Sequence, residues 1–219
     1  MSRLRFNWGE ARAHLRKQCD PLREFIDDFG SRRYPVGRGM DTFQALAHSI
    51  TYQQLSVKAA GTIHGRFRDL FPERAPTPGQ TLELGVGPLR SAGLSRAKTL
   101  SILDLADHFV KKRIPSPRTL GRLDDQVIIE RLCEVRGIGP WTAQMHLIFQ
   151  LGRPDVMPAT DLGVQRGIMH VYRLDAMPGE RESLERTQHL APFRSAAAWY
   201  FWRASESAPV DEGGQNPDR

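Results

Sequence analysis

Residues 132–143 read LCEVRGIGPWTA, and this stretch decides how the rest of the chain is interpreted. It predicts a helix, a tight turn on Gly137-Ile138-Gly139, and a second helix that begins at Pro140. Two glycines around one apolar residue permit a sharp turn whose bare backbone can approach a surface closely. Proline at the first position of a helix has no N–H to lose. The backbone N–H groups there predict a site for an anion, although an ordinary helical hairpin with a glycine turn would also fit.

Helix start signals recur along the chain on both sides of this stretch. Each is a capping residue followed by apolar side chains at helical spacing. They are Asp41, Ser56, Ser95 and either Asp124 or Asp125. Proline and glycine concentrate in residues 72–93, which we expect to hold one or two short helices. Runs that alternate apolar and polar residues are missing, so the sequence predicts an all-α fold.

The charge balance favours an anionic partner. The 219 residues include 31 Lys and Arg against 25 Asp and Glu, which gives a net charge of +6 and a sequence pI near 9.7. Residues 205–219 carry four acids and one Arg, so the rest of the chain carries +9. Nucleic acid is the first candidate and an anionic lipid surface the second, although many mildly basic proteins bind neither.

The remaining composition excludes several classes of protein. Cys19 and Cys133 lie far apart and fit no intrachain disulfide, zinc site or four-cysteine iron–sulfur cluster. The first 20 residues are charged throughout and lack the apolar core of a secretory signal. No stretch approaches 18 apolar residues, so no membrane span is expected. These features predict a cytoplasmic protein.

The string Leu-x-x-Val-x-Gly-Ile-Gly-x-Trp-Thr-Ala at 132–143 resembles the helix-hairpin-helix motif of DNA glycosylases. The continuation HLIFQLGRPDVMPATDLGVQRGI (146–168) matches the loop and the aspartate that follow the motif in that superfamily. Three more segments resemble the family in the same order, namely ITYQQLSVKAAGTI (50–63), GPLRSAGLSRAKTLSILDLA (87–106) and APFRSAAAWYFW (191–202). The resemblance spans about residues 41–204 and looks most like the inducible bacterial 3-methyladenine DNA glycosylase II type.

This resemblance implies a monofunctional DNA glycosylase of base excision repair, which flips out alkylated bases such as 3-methyladenine or 7-methylguanine and hydrolyses the N-glycosidic bond. Bifunctional members carry a lysine nucleophile where this chain has Trp141, so water is expected to attack instead. Asp161 falls at the position of the catalytic aspartate, where its charge would stabilise the cationic sugar. A helix-capping role for Asp161 is the alternative.

The resemblance also implies a pocket for the flipped base. Trp202 falls at the position of the family's stacking tryptophan, and Trp141, Tyr52 and Met145 are the further candidates. Aromatic faces suit an alkylated base because it is a cation. For Trp141 and Tyr52, packing in the helical core is an equal alternative. Met145 stands where the compared family member has a tyrosine, which leaves the range of accepted bases open.

Residues of three segments are expected to contact DNA. The wedge that fills the gap left by the flipped nucleotide is Gln54 or Leu55. The whole set implied by the resemblance is Gln53, Gln54, Leu55, Ser56, Lys58, Lys98, Arg136, Gly137, Ile138, Gly139, Thr142 and Arg194. Lys98 and Arg194 fit solvated surface charges equally well.

Family members also bind a monovalent cation at the hairpin through main-chain carbonyls. The corresponding carbonyls here belong to Cys133, Val135 and Ile138, which would hold Na⁺ or K⁺. The sequence contains no side-chain metal site, and no other cofactor is expected.

The predicted organisation is two helical lobes with an active-site cleft between them. One lobe comprises residues 42–150, and the other comprises 151–204 packed against one amphipathic helix within residues 1–41. The N-terminal β domain often found in the family is not expected here. The acidic residues 205–219 are expected to be disordered. The predicted partner is double-stranded DNA containing alkylated bases, bound in the cytoplasm by a monomer without membrane association.

Two other functions are compatible with parts of the sequence. A glycosylase for oxidised or mispaired bases would share the scaffold, although Trp141 in place of a lysine and the missing cluster cysteines disfavour it. A DNA-binding module without catalysis would need the hairpin alone, and it would leave Asp161 and the aromatic candidates without a role.

Overall fold

The computed structural model of the protein describes residues 4–30 and 40–207. Within these two ranges the chain forms thirteen α-helices and two 3₁₀ segments and no strand, which confirms the predicted all-α fold. The helices are α1 (Trp8–Gln18), α2 (Asp20–Phe29), α3 (Thr42–Tyr52), α4 (Val57–Asp69), α5 (Pro78–Leu84), α6 (Val86–Ser91), α7 (Arg96–Val110), α8 (Pro117–Leu120), α9 (Asp125–Cys133), α10 (Pro140–Phe149), α11 (Leu162–Tyr172), α12 (Glu180–Thr187) and α13 (Arg194–Ser207). The described helices include none that is long and apolar enough to cross a membrane.

The predicted helix starts are confirmed in detail. Asp41, Ser56 and Ser95 each accept a hydrogen bond from the backbone N–H three residues later, as N-cap side chains do. Asp124, rather than Asp125, is the N-cap of α9, and it makes no side-chain capping bond. Residues 72–93 contain the two short helices α5 and α6.

Contacts divide the described chain into two compact units. The first contains α3–α10, within residues 40–152. Its long helix α7 packs against α3, α5 and α6. The core includes Leu46, Ile50, Ile102 and Leu105, which are fully buried. Helices α9 and α10 pack against each other to form the hairpin.

The second unit contains α1, α2 and α11–α13, from residues 4–30 and 153–207. Its main contact is between α11 and α13. Gly167 permits their close approach, since a side chain there would overlap the carbonyl oxygen of Phe201. The ring of Trp8 stacks on Tyr200 and meets Trp199 edge to face, with centroid distances of 5.6 and 5.3 Å. The centre of this unit is therefore aromatic.

Two predictions about the ends of the chain are corrected. The single N-terminal helix is two helices, which separate at Cys19 with φ −146° and ψ 108°. Pro21 explains the break, because it has no N–H for the helical bond to the preceding turn. Helix α13 extends to Ser207, so residues 205–207 are helical rather than disordered. The Ser207 hydroxyl donates to the Arg203 carbonyl and Arg203 pairs with Glu206, which stabilises this last turn. Residues 208–219 lie outside the described ranges.

Candidate functional site

The hairpin turn joins α9 to α10 and is held by α7. Gly137 has φ +78°, a left-handed conformation that favours glycine, and a Cβ there would lie only 2.6 Å from the Ser101 hydroxyl oxygen. Ile138 is 4% exposed, and its N–H donates to the Val135 carbonyl at 3.1 Å. The Arg136 N–H donates to Oδ2 of Asp104 at 2.7 Å. Contacts with α7 and within the turn therefore hold this backbone conformation.

Helix α10 presents an uncapped N-terminus beside this turn. Its N-cap is Gly139, which has no side chain to offer, and Pro140 occupies the first turn. The N–H groups of a helix start carry partial positive charge and suit an anion. Trp141 is 44% exposed in the first turn, while Thr142 is 4% exposed. A helix start without a side-chain cap lies where the sequence predicts it, and anion binding there stays a prediction.

The candidate wedge lies in the turn between α3 and α4, which we define as the wedge turn, residues 53–56. Gln54 is exposed and has φ +55°, an uncommon conformation for a residue other than glycine. Leu55 is 39% exposed. Ser56 is exposed and caps α4, and Lys58 is exposed on its first turn. Two candidates for insertion into DNA therefore project from one tight turn.

Gln53 links the wedge turn to the hairpin. Its side-chain Nε2 donates to the Gly137 carbonyl at 3.0 Å and approaches the Thr142 hydroxyl oxygen at 3.4 Å. Gln53, which was itself predicted to contact DNA, thus joins the wedge turn to the hairpin, and both of these elements were also predicted to contact DNA. This contact joins residues 84 positions apart in the sequence.

The predicted phosphate contact Lys98 points into the protein. Its Nζ donates to the carbonyl oxygens of Thr51 and Gln53, at 2.6 Å each, where α3 ends. The side chain is half-buried, and this burial lowers the pKa of Lys98 below its ordinary value. A solvated surface charge, the alternative interpretation, does not describe this environment.

Tyr52 lies in an aromatic cluster rather than alone. Its ring stacks on His48 with a centroid distance of 4.0 Å, and His64 meets both rings at steep angles. Burial, together with the charges of His48 and Arg68, lowers the pKa of His64 to about 4. Tyr52 and Met145 are both half-buried. A base-pocket role for either stays a prediction.

Asp161 and Trp202 are directly hydrogen-bonded. Oδ1 of Asp161 accepts the indole N–H of Trp202 at 2.7 Å and the backbone N–H of Val164 at 2.9 Å. Asp161 is thus the N-cap of α11, and the same carboxylate also holds the half-buried indole. Gln165 supports the loop before it, since its Nε2 donates to the Ala159 carbonyl at 2.7 Å.

Gly163 leaves the space that the indole occupies. A Cβ at this position would lie 2.9 Å from Cδ1 of Trp202 and 3.1 Å from Oδ1 of Asp161. Both distances are shorter than ordinary carbon contacts, so a side chain would displace one of the two groups. Sequence reasoning did not identify Gly163, whose only signal is its spacing of four residues from Gly167.

The predicted DNA contact Arg194 is held by Asp155. Nε and Nη2 of the guanidinium donate to the two carboxylate oxygens at 2.7 and 2.8 Å, and the Arg194 N–H adds a third bond. Burial raises the pKa of Asp155, but the hydrogen bonds from Arg194 outweigh this effect and hold it below its usual range. The pair ties the start of α13 to the loop at residue 155, and contact with DNA stays a prediction.

The carbonyls of Cys133, Val135 and Ile138 lie at the hairpin turn. Val135 O accepts the Ile138 N–H, and a carbonyl oxygen has a second lone pair for a further partner. Carbonyl oxygens are ligands for hard cations. Among residues 4–30 and 40–207 there is no group of three or more His, Cys, Asp or Glu side chains that could hold a metal. The predicted cation site at these main-chain carbonyls stays a prediction.

The hairpin, the helical fold and an aspartate after the hairpin together define a class of protein. Residues 47–193 match the model of the HhH-GPD superfamily of base excision DNA repair proteins, and the chain belongs to this family. The resemblance recognised in the sequence is confirmed.

Particular relatives share most of the chain. DNA-3-methyladenine glycosylase 1 of Schizosaccharomyces pombe is 37% identical over 179 residues, which cover 80% of this chain and 78% of that protein. The structure of the Schizosaccharomyces pombe 3-methyladenine DNA glycosylase in complex with abasic DNA has a TM-score of 0.80 and 34% identity, covering 91% of this chain and 98% of that one. The crystal structure of DNA-3-methyladenine glycosidase from Bacillus halodurans has a TM-score of 0.83 and 32% identity, covering 90% and 89%.

Proposed function

We propose that this protein is a monofunctional DNA glycosylase that removes alkylated bases, of the 3-methyladenine and 7-methylguanine class, from double-stranded DNA. The observation that carries the proposal is the hydrogen bond between the Trp202 indole and the Asp161 carboxylate. It brings an aromatic ring and a negative charge together in a family whose members repair DNA bases. We also propose that the enzyme belongs to the 3-methyladenine DNA glycosylase II type.

The reaction needs little acid catalysis. Alkylation at a ring nitrogen gives a purine a positive charge, which weakens its glycosidic bond and makes the base a good leaving group. The face of an aromatic ring attracts such a cation. We assign this role to Trp202, with Trp141, Tyr52 and Met145 as further candidates for the base pocket.

Asp161 would act on the sugar. As the bond breaks, C1′ of the deoxyribose becomes cationic, and a fixed carboxylate beside it lowers the energy of that state. The two N–H donors on Oδ1 fix the orientation of the carboxylate before substrate binds. The same group can orient the attacking water or accept its proton.

Water is the proposed nucleophile. Trp141 occupies the hairpin position of the lysine of the bifunctional family members, and an indole cannot form a Schiff base. The products are then a free base and an intact strand with an abasic sugar. Because no Schiff base forms, a hydride reductant should trap no covalent protein–DNA complex.

The DNA would be held by its backbone. The open N-terminus of α10 and the turn at residues 136–139 would bind a phosphate, and exposed Lys58 would bind another. Gln54 or Leu55 would enter the duplex to fill the gap left by the flipped nucleotide. The carbonyls of Cys133, Val135 and Ile138 would hold Na⁺ or K⁺, which would add positive charge beside the phosphate.

The proposed setting is the cytoplasm, with the enzyme on nucleoid DNA when it is bound. We propose that the enzyme acts as a monomer. Sedimentation with and without duplex DNA tests this part of the proposal.

The decisive experiment is release of free bases in a single turnover, from duplex DNA treated with a methylating agent. Wild type should release 3-methyladenine or 7-methylguanine, and Asp161→Asn should do so about 100–1,000-fold more slowly with DNA binding retained. Asparagine keeps an oxygen that can accept both hydrogen bonds, so this variant isolates the charge. Asp175→Asn makes the same change at an exposed carboxylate and serves as the control.

Two outcomes would refute the proposal. Binding of methylated DNA without release of any base would favour a binding module without catalysis. Release from DNA with oxidised or mispaired bases, but not from methylated DNA, would retain the reaction and reject the substrate class.

A further inference from the structure

Lys98 was predicted to touch a phosphate, but its geometry gives it another role. It lies in the first turn of α7, where its backbone N–H donates to the hydroxyl of the N-cap Ser95. The side chain then crosses to α3 and donates to the carbonyls of Thr51 and Gln53. Two of the three hydrogens of the ammonium group are thereby used inside the protein.

These carbonyls are at the end of a helix. The last carbonyls of a helix have no partner within it and carry partial negative charge, so a cation stabilises them. The Gln53 N–H still bonds back to Ser49, whereas the next residue, Gln54, has left the helix with φ +55°. Lys98 therefore binds the chain at the point where it turns away from α3.

The wedge turn (residues 53–56) is short and is held at its first residue from two sides. Lys98 binds the Gln53 carbonyl, and the Gln53 side chain binds the hairpin at the Gly137 carbonyl. At its other end, Ser56 caps α4. The exposed residues Gln54 and Leu55 lie between these fixed points.

A residue that fills the gap left by a flipped nucleotide must keep its conformation when it is inserted into the duplex. Moving a nucleotide out of the duplex costs a few kcal/mol of stacking and pairing, and the side chain that replaces it must not give way. A non-glycine residue in the left-handed region keeps that conformation only when the surrounding structure holds it. Lys98 and Gln53 supply the restraint on the side of α3.

We propose that Lys98 is a positioning residue of the wedge turn, which binds the end of α3 and holds Gln54 in its left-handed conformation instead of contacting a DNA phosphate. This rests on the proposed glycosylase function, because only an enzyme that flips nucleotides needs a wedge. The inference adds a role for a residue within α7, outside the hairpin and the catalytic pair.

The two roles of Lys98 differ in their dependence on salt. A lysine that neutralises a phosphate contributes about 0.9 to the slope of log K against log salt for duplex DNA. A lysine that only positions the wedge turn contributes nothing to that slope but promotes extrusion of the nucleotide. Affinity across salt concentrations, together with the fluorescence of 2-aminopurine next to the lesion, separates the two.

The experiment compares Lys98→Met, Lys98→Arg and Lys58→Met with wild type. Affinity and 2-aminopurine fluorescence are measured on an abasic-analogue duplex, and the single-turnover rate of base release is measured on methylated duplex DNA. Lys98→Met should leave the salt slope unchanged. It should lower the 2-aminopurine fluorescence, and it should slow base release in a single turnover at saturating enzyme at least tenfold. Lys98→Arg should show the same pattern in weaker form, since the guanidinium keeps the charge but cannot reproduce the position of the ammonium. Lys58 is exposed, so Lys58→Met should reduce the slope by about 0.9 and calibrates the assay.

The inference is overturned if Lys98→Met lowers the salt slope by about 0.9, whatever Lys98→Arg does. Thermal unfolding of each variant shows whether it is folded. If Lys98→Met is unfolded, the comparison of Lys98→Arg with wild type is the test. If wild type releases no base from methylated DNA, the proposed function fails. If wild type releases the base and extrusion is normal in Lys98→Met, the inference about Lys98 fails alone.

Discussion

The indole N–H of Trp202 donates a 2.7 Å hydrogen bond to Oδ1 of Asp161, which joins the proposed base-stacking ring to the proposed catalytic carboxylate. The two residues lie 41 positions apart, on α13 and at the start of α11. Because the carboxylate also caps α11, its position depends on the helix as well as on the indole. Substitutions that move either residue should therefore affect the other.

Removal of the indole N–H tests this dependence. Trp202→Phe keeps an aromatic ring but takes one donor from the Asp161 carboxylate. A hydrogen bond to a charged group contributes about 1.5–3 kcal/mol, so base release should slow about 10–100-fold. The measurement is single-turnover release from methylated duplex DNA. Trp199→Phe, one turn earlier and 5% exposed, is the control, and its release rate should match that of wild type. Equal rates for wild type and Trp202→Phe would mean that the bond has no role in the reaction.

A methyl group at Gly163 should disturb the same pair from the other side. In Gly163→Ala, the new Cβ would lie 2.9 Å from the indole carbon Cδ1, so Trp202 or Asp161 must shift. Overpacking of this kind costs about 1–3 kcal/mol, and we expect base release to slow about tenfold as the carboxylate turns.

Gly87→Ala is the matched control, since a Cβ there meets nothing within 4 Å. It should leave base release unchanged and alter the free energy of unfolding by at most about 1 kcal/mol, in the stabilising direction. Normal release by Gly163→Ala would show that the close contact is relieved without moving either residue.

The two glycines of the hairpin turn should respond differently. Gly137→Ala forces alanine into φ +78° and brings its methyl group to 2.6 Å from the Ser101 hydroxyl, so the variant should lose about 1–3 kcal/mol of stability. Gly139 has φ −101° and open space at its Cβ position. Gly139→Ala should therefore avoid this strain and lose at most about 1 kcal/mol, because alanine is a poorer N-cap than glycine. It should bind duplex DNA several-fold more weakly, because its methyl group would stand between the backbone and a phosphate. Chemical unfolding and DNA titration of both variants check this, and unchanged DNA affinity of Gly139→Ala would count against the anion site.

Stability should fall in mild acid because of His146, and the lowered pKa of His64 should add to this loss. The His146 imidazole is 4% exposed on α10, and burial lowers its pKa to about 4, below the ordinary 6.5. Between pH 4 and 6.5 the unfolded chain therefore binds more protons than the folded one. The stability contributed by the neutral imidazole is complete above pH 6.5 and is lost as the pH falls to about 4, at up to about 1.4 kcal/mol per pH unit.

Unfolding by urea from pH 4 to 7 checks this expectation in wild type and His146→Leu. The variant should have a flatter profile, with up to one proton less in its slope. His189→Leu makes the same change at an exposed position and should keep the wild-type profile. A wild-type free energy of unfolding that is constant over this range would contradict the assignment.

Features that depend on neighbouring residues could be read from the sequence. The hairpin turn follows from Gly137, Gly139 and Pro140, whose backbone preferences act within a few residues. The N-caps Asp41, Ser56 and Ser95 follow from side chains that reach a backbone N–H three positions on. The continuous helix expected near the N-terminus was wrong because one proline, Pro21, outweighed the amphipathic pattern around it.

Partners of charged residues could not be read in this way. Lys98 and Arg194 were each interpreted as a DNA contact or a solvated surface charge, because a sequence gives the charge of a side chain without the position of its head group. In the fold, Lys98 meets carbonyls 45 and 47 residues away, and Arg194 meets a carboxylate 39 residues away. Asp104, Gln165 and Gly163 were missed for the same reason, because each acts through a contact that only packing creates.

The sequence by itself determined most of the helices, three of their caps and the glycine turn of the hairpin, since these follow from local backbone preferences. The place of Asp161 in the motif followed from the resemblance to the family. Only the tertiary structure decided that the indole N–H of Trp202 binds Asp161, that Gly163 makes room for it, and that Lys98 binds the end of α3. Hydrogen bonds form only when two groups lie within about 3 Å at suitable angles. Such distances between remote segments are set by the packing of whole helices. Helical periodicity predicts which face of a helix is buried, but not which residues of other helices that face contacts.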